Sequence, residues 1–218
     1  QALANYYLNK NNIVIGCSRN KSTINNENYR HFSLEVSDEK AVVIMVRAVK
    51  KEFKTIDVLI NNAGIASMNH FLTTSTSSVE KIFSTNFLGT FIFTREVSKV
   101  MMKQKYGRVV NYTTVARALR LEGEAIYSAS KAAIENLTQT IAKELAPFNI
   151  TVNAIGPTPV KTDLIKAVPK NKIDELLTKQ AIKRLGTFED IINVIEFFID
   201  KKSDFITGQI VYLGGVNN

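Results

Sequence analysis

Asp57-Val-Leu-Ile-Asn61-Asn62-Ala63-Gly64 decides the fold of this chain. Three consecutive apolar residues between an acid and an Asn-Asn-Ala-Gly turn read as a short strand buried on both faces. Such strands belong to parallel sheets covered by helices on either side. Working outward, the pattern alternates helix and strand in both directions. Toward the carboxyl end, Ser77 and Glu80 have capping-box spacing, which predicts one long helix from there through Lys105. Gly107 ends it, and a strand is expected over Arg108–Thr113. A loop holding Gly123 leads to a helix from about Ala125 to Ala146, stopped at Pro147. A strand follows at Ile150–Ile155, then an irregular Gly156-Pro157-Thr158-Pro159, then two helices, the second capped by Thr187, and a closing strand at Gln209–Leu213. Toward the amino end, residues 1–10 read as helix and Ile13–Cys17 as strand. A further strand is expected near Phe32–Val36, before a helix that Asp38 caps and that runs to about Phe53.

This order is that of an α/β doubly wound parallel sheet, Rossmann-type, and the length of 218 residues suits a single domain spanning 1–218. Ligands of such sheets bind beyond the carboxyl ends of the strands. The expected rim is therefore Cys17–Asn20, Glu35–Val36, Asn61–Gly64, Thr113–Thr114 and Gly156–Thr162. Most of the unusual sequence in the chain falls on those five segments.

Composition narrows the function classes. The net charge is +8, but the Lys and Arg residues are dispersed in ones and twos among acids, without the basic, aromatic-lined stripe of a nucleic-acid surface. No apolar run is long enough to span a bilayer, no secretory leader opens the sequence as given, and the one cysteine, Cys17, suits a reducing compartment. A cytoplasmic protein with no nucleic-acid or membrane partner is the expectation. His31 and His70 have no neighbours at metal-ligand spacing, so no metal site is expected.

Tyr127 and Lys131 are four residues apart on a predicted helix and share one face. A tyrosine has an ordinary pKa of about 10, so acid–base work near neutrality needs its phenolate stabilised, and a neighbouring ammonium can do that. The spacing alone is common: Tyr6 and Lys10 have it too. The setting of Tyr127 differs, after a strand-end loop with Thr113 and Thr114 and before the small residues Ser128, Ala129, Ser130, Ala132 and Ala133.

With these motifs in order, the sequence resembles the short-chain dehydrogenase/reductase family, in particular its 3-oxoacyl-[acyl-carrier-protein] reductase-like members. The resemblance covers nearly the whole chain. It is carried by Asp57–Gly64, by Asn86 in Asn-Phe-Leu-Gly, by Tyr127-Ser-Ala-Ser-Lys131, by Val152–Pro157 followed by Thr162, and by Ile206-Thr-Gly208-Gln209 with Gly214-Gly215. It implies hydride transfer between a nicotinamide dinucleotide and a carbonyl or secondary alcohol. Tyr127 would be the general acid/base, Lys131 would lower its pKa and hold the ribose, and Asn86 would anchor a water in a proton relay. Asn62, Ala63 and Gly64 would line the cofactor, Glu35 and Val36 would lie against the adenine, and Pro157, Thr158, Val160 and Thr162 would cradle the nicotinamide. It also implies a substrate lid at about 159–183 and a homo-oligomer, dimer or tetramer, with a small-molecule or carrier-bound carbonyl as substrate.

The sequence departs from the family at several places. Thr114 stands where the family keeps its substrate-orienting serine, which predicts reduced or narrowed activity. Thr158 replaces a glycine, and Glu35 replaces the commoner aspartate. The family's opening strand and Gly-rich turn are lacking in the sequence as given, whose first glycine is Gly16, and they are expected in the natural protein. After the strand at Ile13–Cys17 no acid follows; Arg19 does, and a guanidinium suits a 2′-phosphate, so NADP(H) is favoured over NAD(H). The alternative is a cofactor-binding or interaction protein on the same fold whose chemistry is weak or lost.

Overall fold

The structure is a computed structural model that describes residues 1–160 and 170–217. Its described residues fold as alternating helices and parallel strands. Helix α1 (Ala2–Asn9) precedes β1 (Val14–Ser18) and β2 (Tyr29–Ser33); α2 (Glu39–Phe53) then leads to β3 (Val58–Asn61). Next come α3 (Thr76–Phe83), α4 (Gly89–Gln104), β4 (Gly107–Tyr112), α5 (Val115–Leu119), α6 (Ala125–Leu145) and β5 (Ile150–Gly156). The chain continues through α7 (Lys170–Thr178) and α8 (Phe188–Ile199) to β6 (Ile210–Tyr212).

Every ladder is parallel. Strands β1 and β2 form one sheet, and β3-β4-β5-β6 form a second in that order. The expected α/β architecture with parallel strands and covering helices is what the structure has. The element before β1 is a helix, and among the described residues no strand bridges the two sheets. They share apolar packing nonetheless. Ile15, Cys17 and Phe32 of the first sheet pack against a core of Val42, Met45, Val97, Val109 and Val152, which Leu59 also joins. Strands β4 and β5 are buried along their whole length, as helices on both faces of a sheet require.

A chain of amides crosses this core. Asn61 Nδ2 donates to Thr94 Oγ1 on α4 at 2.9 Å and to Asn111 Oδ1 on β4 at 2.8 Å, and Asn111 Nδ2 donates to Thr138 Oγ1 on α6 at 2.8 Å. Buried amides are tolerated only when paired in this way. Here the pairing ties the two helices to the strand ends between them.

Two sequence-based boundaries are corrected. The second strand lies at Tyr29–Ser33, not near Phe32–Val36. Its ladder runs from Val14↔Tyr29 to Ser18↔Ser33, and the Leu34 amide makes the last bond, to Ser18 O at 3.0 Å, where β1 stops. The helix expected from Ser77 through Lys105 starts earlier and is interrupted. Ser75, not Ser77, accepts the capping bond, from Ser78 N at 3.2 Å, and a π-helical turn at Ser84–Leu88 separates α3 from α4. The caps expected at Asp38 and Thr187 are present. Asp38 accepts from Ala41 N, and Thr187 forms a full capping box with Asp190. No helix among the described residues is long and apolar enough to cross a membrane.

Candidate active site

Four of the five expected rim segments follow directly from the carboxyl ends of β1, β3, β4 and β5, and Glu35–Val36 lies just past β2. Asn62, Ala63 and Gly64, after β3, are exposed. Arg19 is exposed at the end of β1, and no ion pair holds it among the described residues. Glu35 is half-buried and its Oε1 accepts from Val36 N at 3.1 Å. Val36 is buried against α4, where a Cβ on Gly89 would come within 2.7 Å of its Cγ2. After β5, Pro157 is half-buried, Thr158 is buried, and Val160 bridges to Gly186. Thr162, with the rest of residues 161–169 of the expected lid, lies outside the described residues. The described part of that segment includes Leu176 of α7, which packs with Val115 and Ala118 of α5.

Asn86 sits in the π-helical turn and is fully buried. Its Oδ1 accepts from Ile65 N at 2.8 Å, and its Nδ2 donates to Ile65 O and to Ser130 Oγ, both at 3.0 Å. The π turn fits this role, because widening the helix by one residue is a recurrent way to aim a side chain at a functional site. Asn86 thus clamps the loop after β3 onto helix α6. Gly64 lies alongside, and a Cβ there would sit 3.4 Å from Asn86 Oδ1 and 3.5 Å from Lys131 Nζ.

Lys131 is 4% exposed and donates from Nζ to Tyr112 O at 2.9 Å. Its ammonium lies 6.0 Å from the centroid of the Tyr127 ring. Burial pulls the Lys131 pKa down to about 8, because a low-dielectric surrounding disfavours the charged form. Burial pushes the Tyr127 phenol up to about 12; the neighbouring Thr114 hydroxyl opposes this, and the nearby charge of Glu124 adds to it. Thr114 itself is the N-cap of α5, in extended backbone, with its Oγ1 accepting from Ala116 N at 3.2 Å. The structure therefore brings Thr114 to Tyr127, and Lys131 to Asn86 and Gly64, around the start of α6.

Some neighbours escaped the sequence reading. Ser130, the partner of Asn86, sits inside the Tyr127–Lys131 motif and could have been flagged by position. Glu124 stands at the N-cap position of the same helix without a side-chain capping bond, is 8% exposed, and burial raises its carboxyl to about 7. Its place three residues before Tyr127 was the available signal. Elsewhere, a cavity of about 760 Å³ lined by Asp57, Tyr106, Arg108 and Thr207 opens at the amino-terminal edge of the sheet, away from these groups. Among the described residues no three His, Cys, Asp or Glu side chains cluster as metal ligands would.

Comparison with known proteins bears on the family and the fold. Residues 7–217 match the family model described as Enoyl-(Acyl carrier protein) reductase. The 3-oxoacyl-[acyl-carrier-protein] reductase FabG of Staphylococcus epidermidis is 34% identical over 171 residues, 78% of this chain and 70% of that protein. Its counterpart in Aquifex aeolicus is 36% identical over 161 residues, 73% of this chain and 64% of that one. Among solved structures, ElxO with NADP bound superposes with a TM-score of 0.89 at 29% identity, covering 98% of this chain and 91% of ElxO. An NAD+-bound xylitol dehydrogenase gives 0.77 at 30% identity, covering 86% and 78%.

Proposed function

The chain belongs to the short-chain dehydrogenase/reductase family and is an NAD(P)-dependent oxidoreductase acting on C=O or CH–OH groups; on that premise we propose that it reduces a 3-oxoacyl thioester or a similar ketone with NADPH, using Tyr127 as proton donor. The observation that carries this reading is the buried ammonium of Lys131, 6.0 Å from the Tyr127 ring one helical turn away and beside Asn86 and Gly64, with the Thr114 hydroxyl near the phenol. The substrate class is supported by the names of the reductases that this chain resembles, and the choice of NADPH by Arg19 and by the NADP-bound ElxO structure.

The residues present fit a dinucleotide. Among the described residues Lys131 Nζ has one hydrogen bond, to Tyr112 O, which leaves two N–H groups for ribose hydroxyls. The exposed Asn62–Gly64 segment borders it and leaves the backbone open to a ligand. Arg19 would take the 2′-phosphate, Val36 the adenine, and Pro157, Thr158 and Val160 the nicotinamide end. When bound, the nicotinamide supplies the hydride. The protein's share is proton transfer and orientation. Thr114 Oγ1 accepts from a backbone amide and its hydroxyl lies beside the Tyr127 phenol; with substrate bound, its O–H would turn to donate to the substrate carbonyl. The Tyr127 O–H then gives its proton to that oxygen as it gains negative charge, and the Lys131 ammonium stabilises the phenolate left behind.

The test is Tyr127→Phe, assayed with NADPH and acetoacetyl-CoA. Turnover should fall about a hundredfold to ten-thousandfold, with NADPH affinity nearly unchanged. Unchanged turnover overturns the assignment of Tyr127. A parent protein that binds NADPH but reduces no 3-oxo thioester or simple ketone would instead be a binding protein on this fold.

A further inference from the structure

Behind Thr114 and Tyr127 lies a buried carboxylate that the mechanism above does not use. Glu135 is 3% exposed and stands four residues beyond Lys131 and eight beyond Tyr127, so all three project from one stripe of α6. Its Oε1 accepts from Thr113 Oγ1 at 2.5 Å and from Tyr212 OH at 2.5 Å. Its Oε2 lies 3.0 Å from Arg117 Nε. One carboxylate thus joins α6 to the residue after β4, to α5 and to the end of β6. Strand β5 supplies the space: a Cβ on Gly156 would come within 2.3 Å of Tyr212 Cδ1 and 3.1 Å of Thr113 Cγ2. A carboxylate so deep needs compensation: among the described residues its Oε1 takes two hydroxyl donors, while Oε2 has the Arg117 cation alongside but no hydrogen-bond donor.

The connections of this carboxylate bracket Thr114. Thr113 is its immediate neighbour, and Arg117 is three residues on, in the helix that Thr114 caps. Both are tied to the helix that carries Tyr127. We propose that Glu135, through Thr113 and Arg117, is a positioning residue that holds the Thr114 hydroxyl against the Tyr127 phenol. This rests on the reading of Tyr127 as proton donor. Near the reacting groups an error of about 1 Å can cost a hundredfold in rate, so a fixed Thr114 matters more than the stability its neighbours contribute.

Two matched deletions test it. Thr113→Val and Tyr212→Phe each remove one hydroxyl from the same carboxylate oxygen, but only Thr113 is joined to Thr114. With NADPH and acetoacetyl-CoA, Thr113→Val should lower kcat about tenfold or more with KM for NADPH unchanged, while Tyr212→Phe costs at most about threefold. Thr113→Ser, which restores the donor, should recover most of the lost kcat. Parental kcat in Thr113→Val, or equal losses in the two deletions that follow their loss of Tm, overturns the proposal and leaves Glu135 as scaffold. A second readout needs no turnover. The ¹³Cζ resonance of Tyr127, assigned by its absence in Tyr127→Phe, should move in Thr113→Val and stay in Tyr212→Phe. If turnover fails to depend on Tyr127 but this resonance behaves as stated, the proton-donor reading fails and the positioning contact stands. An unmoved resonance in Thr113→Val sinks the positioning contact itself.

Discussion

The start of α6 gathers three ionisable groups displaced by burial: Glu124 raised to about 7, Tyr127 raised to about 12 and Lys131 lowered to about 8. Near neutrality the phenol therefore keeps its proton, as a donor in reduction must, while most of Lys131 remains charged. Glu124 acts twice. As a like charge it opposes the phenolate, so Glu124→Gln should lower the Tyr127 pKa and move the alkaline limb of the kcat/KM profile to lower pH. It also links pH to stability. An unfolded glutamate titrates near 4.3 and the folded one near 7, so the folded state binds the proton more tightly. The stabilisation is complete below the unfolded value and is lost as pH rises through about 7. Over that window the parent should lose on the order of 3 kcal/mol relative to Glu124→Gln. Urea denaturation of both proteins at pH 5 and pH 8 measures the difference, and parallel behaviour would show that Glu124 is not buried in this way. At Thr114, serine caps a helix as well as threonine and has no extra methyl. Thr114→Ser should be faster than the parent if that methyl crowds the substrate. Thr114→Ala should lose about 1 kcal/mol of stability and, with its donor gone, about a hundredfold to a thousandfold in kcat.

At the scale of elements, the site depends on the π-helical turn Ser84–Leu88 and the three hydrogen bonds it makes through Asn86. Asn86→Ala leaves the Ile65 amide and Ser130 hydroxyl without that partner in a buried setting. It should cost about 2–4 kcal/mol and loosen the loop after β3. Hydrogen exchange should show faster exchange at Ile65, and an unchanged rate there would mean that the clamp is not formed. This turn could not be read from sequence, because its apolar pattern continues smoothly into α4. Nor could the start of α3: Ser75, Ser77 and Ser78 are all capping residue types, and the choice fell to the one that reaches Ser78 N. The β2 register was hidden for a related reason, since β1 ends at Ser18 and a strand extends only as far as its partner. By contrast, β3, β4 and β5 were legible, because each carries short apolar stretches such as Val58–Ile60, Val109–Val110 and Ala154–Ile155 between residues that end helices or make turns. The motifs single out Thr114, Tyr127, Lys131 and Asn86, and the structure gathers these four around the start of α6. Glu135 was not, because Arg117 and Tyr212, which make a buried acid tolerable, lie 18 and 77 residues away in sequence.

At the scale of the whole molecule, the parallel strands deliver their loops to one edge, and the exposed cation at that edge most distant in sequence from Tyr127 is Arg19. A protein with a net charge of +8 attracts any polyanion, so charge at large favours NADPH and NADH alike. Discrimination between them must come from a group placed at the one position where they differ, the 2′ oxygen of the adenosine ribose. If Arg19 occupies that position, saturating NADPH at a hundred times its Kd should stabilise the parent by about 2.7 kcal/mol. That is a rise in Tm of roughly 5–10 °C for a chain of this size. Arg19→Ala should remove most of the NADPH shift and leave the NADH shift unchanged, because its side chain would touch only the phosphate. A loss of both shifts would place Arg19 against the pyrophosphate or in the fold of the β1 end instead. An NADH shift larger than the NADPH shift in the parent would assign NAD(H), with Glu35, half-buried after β2, the candidate carboxylate to accept from the ribose hydroxyls.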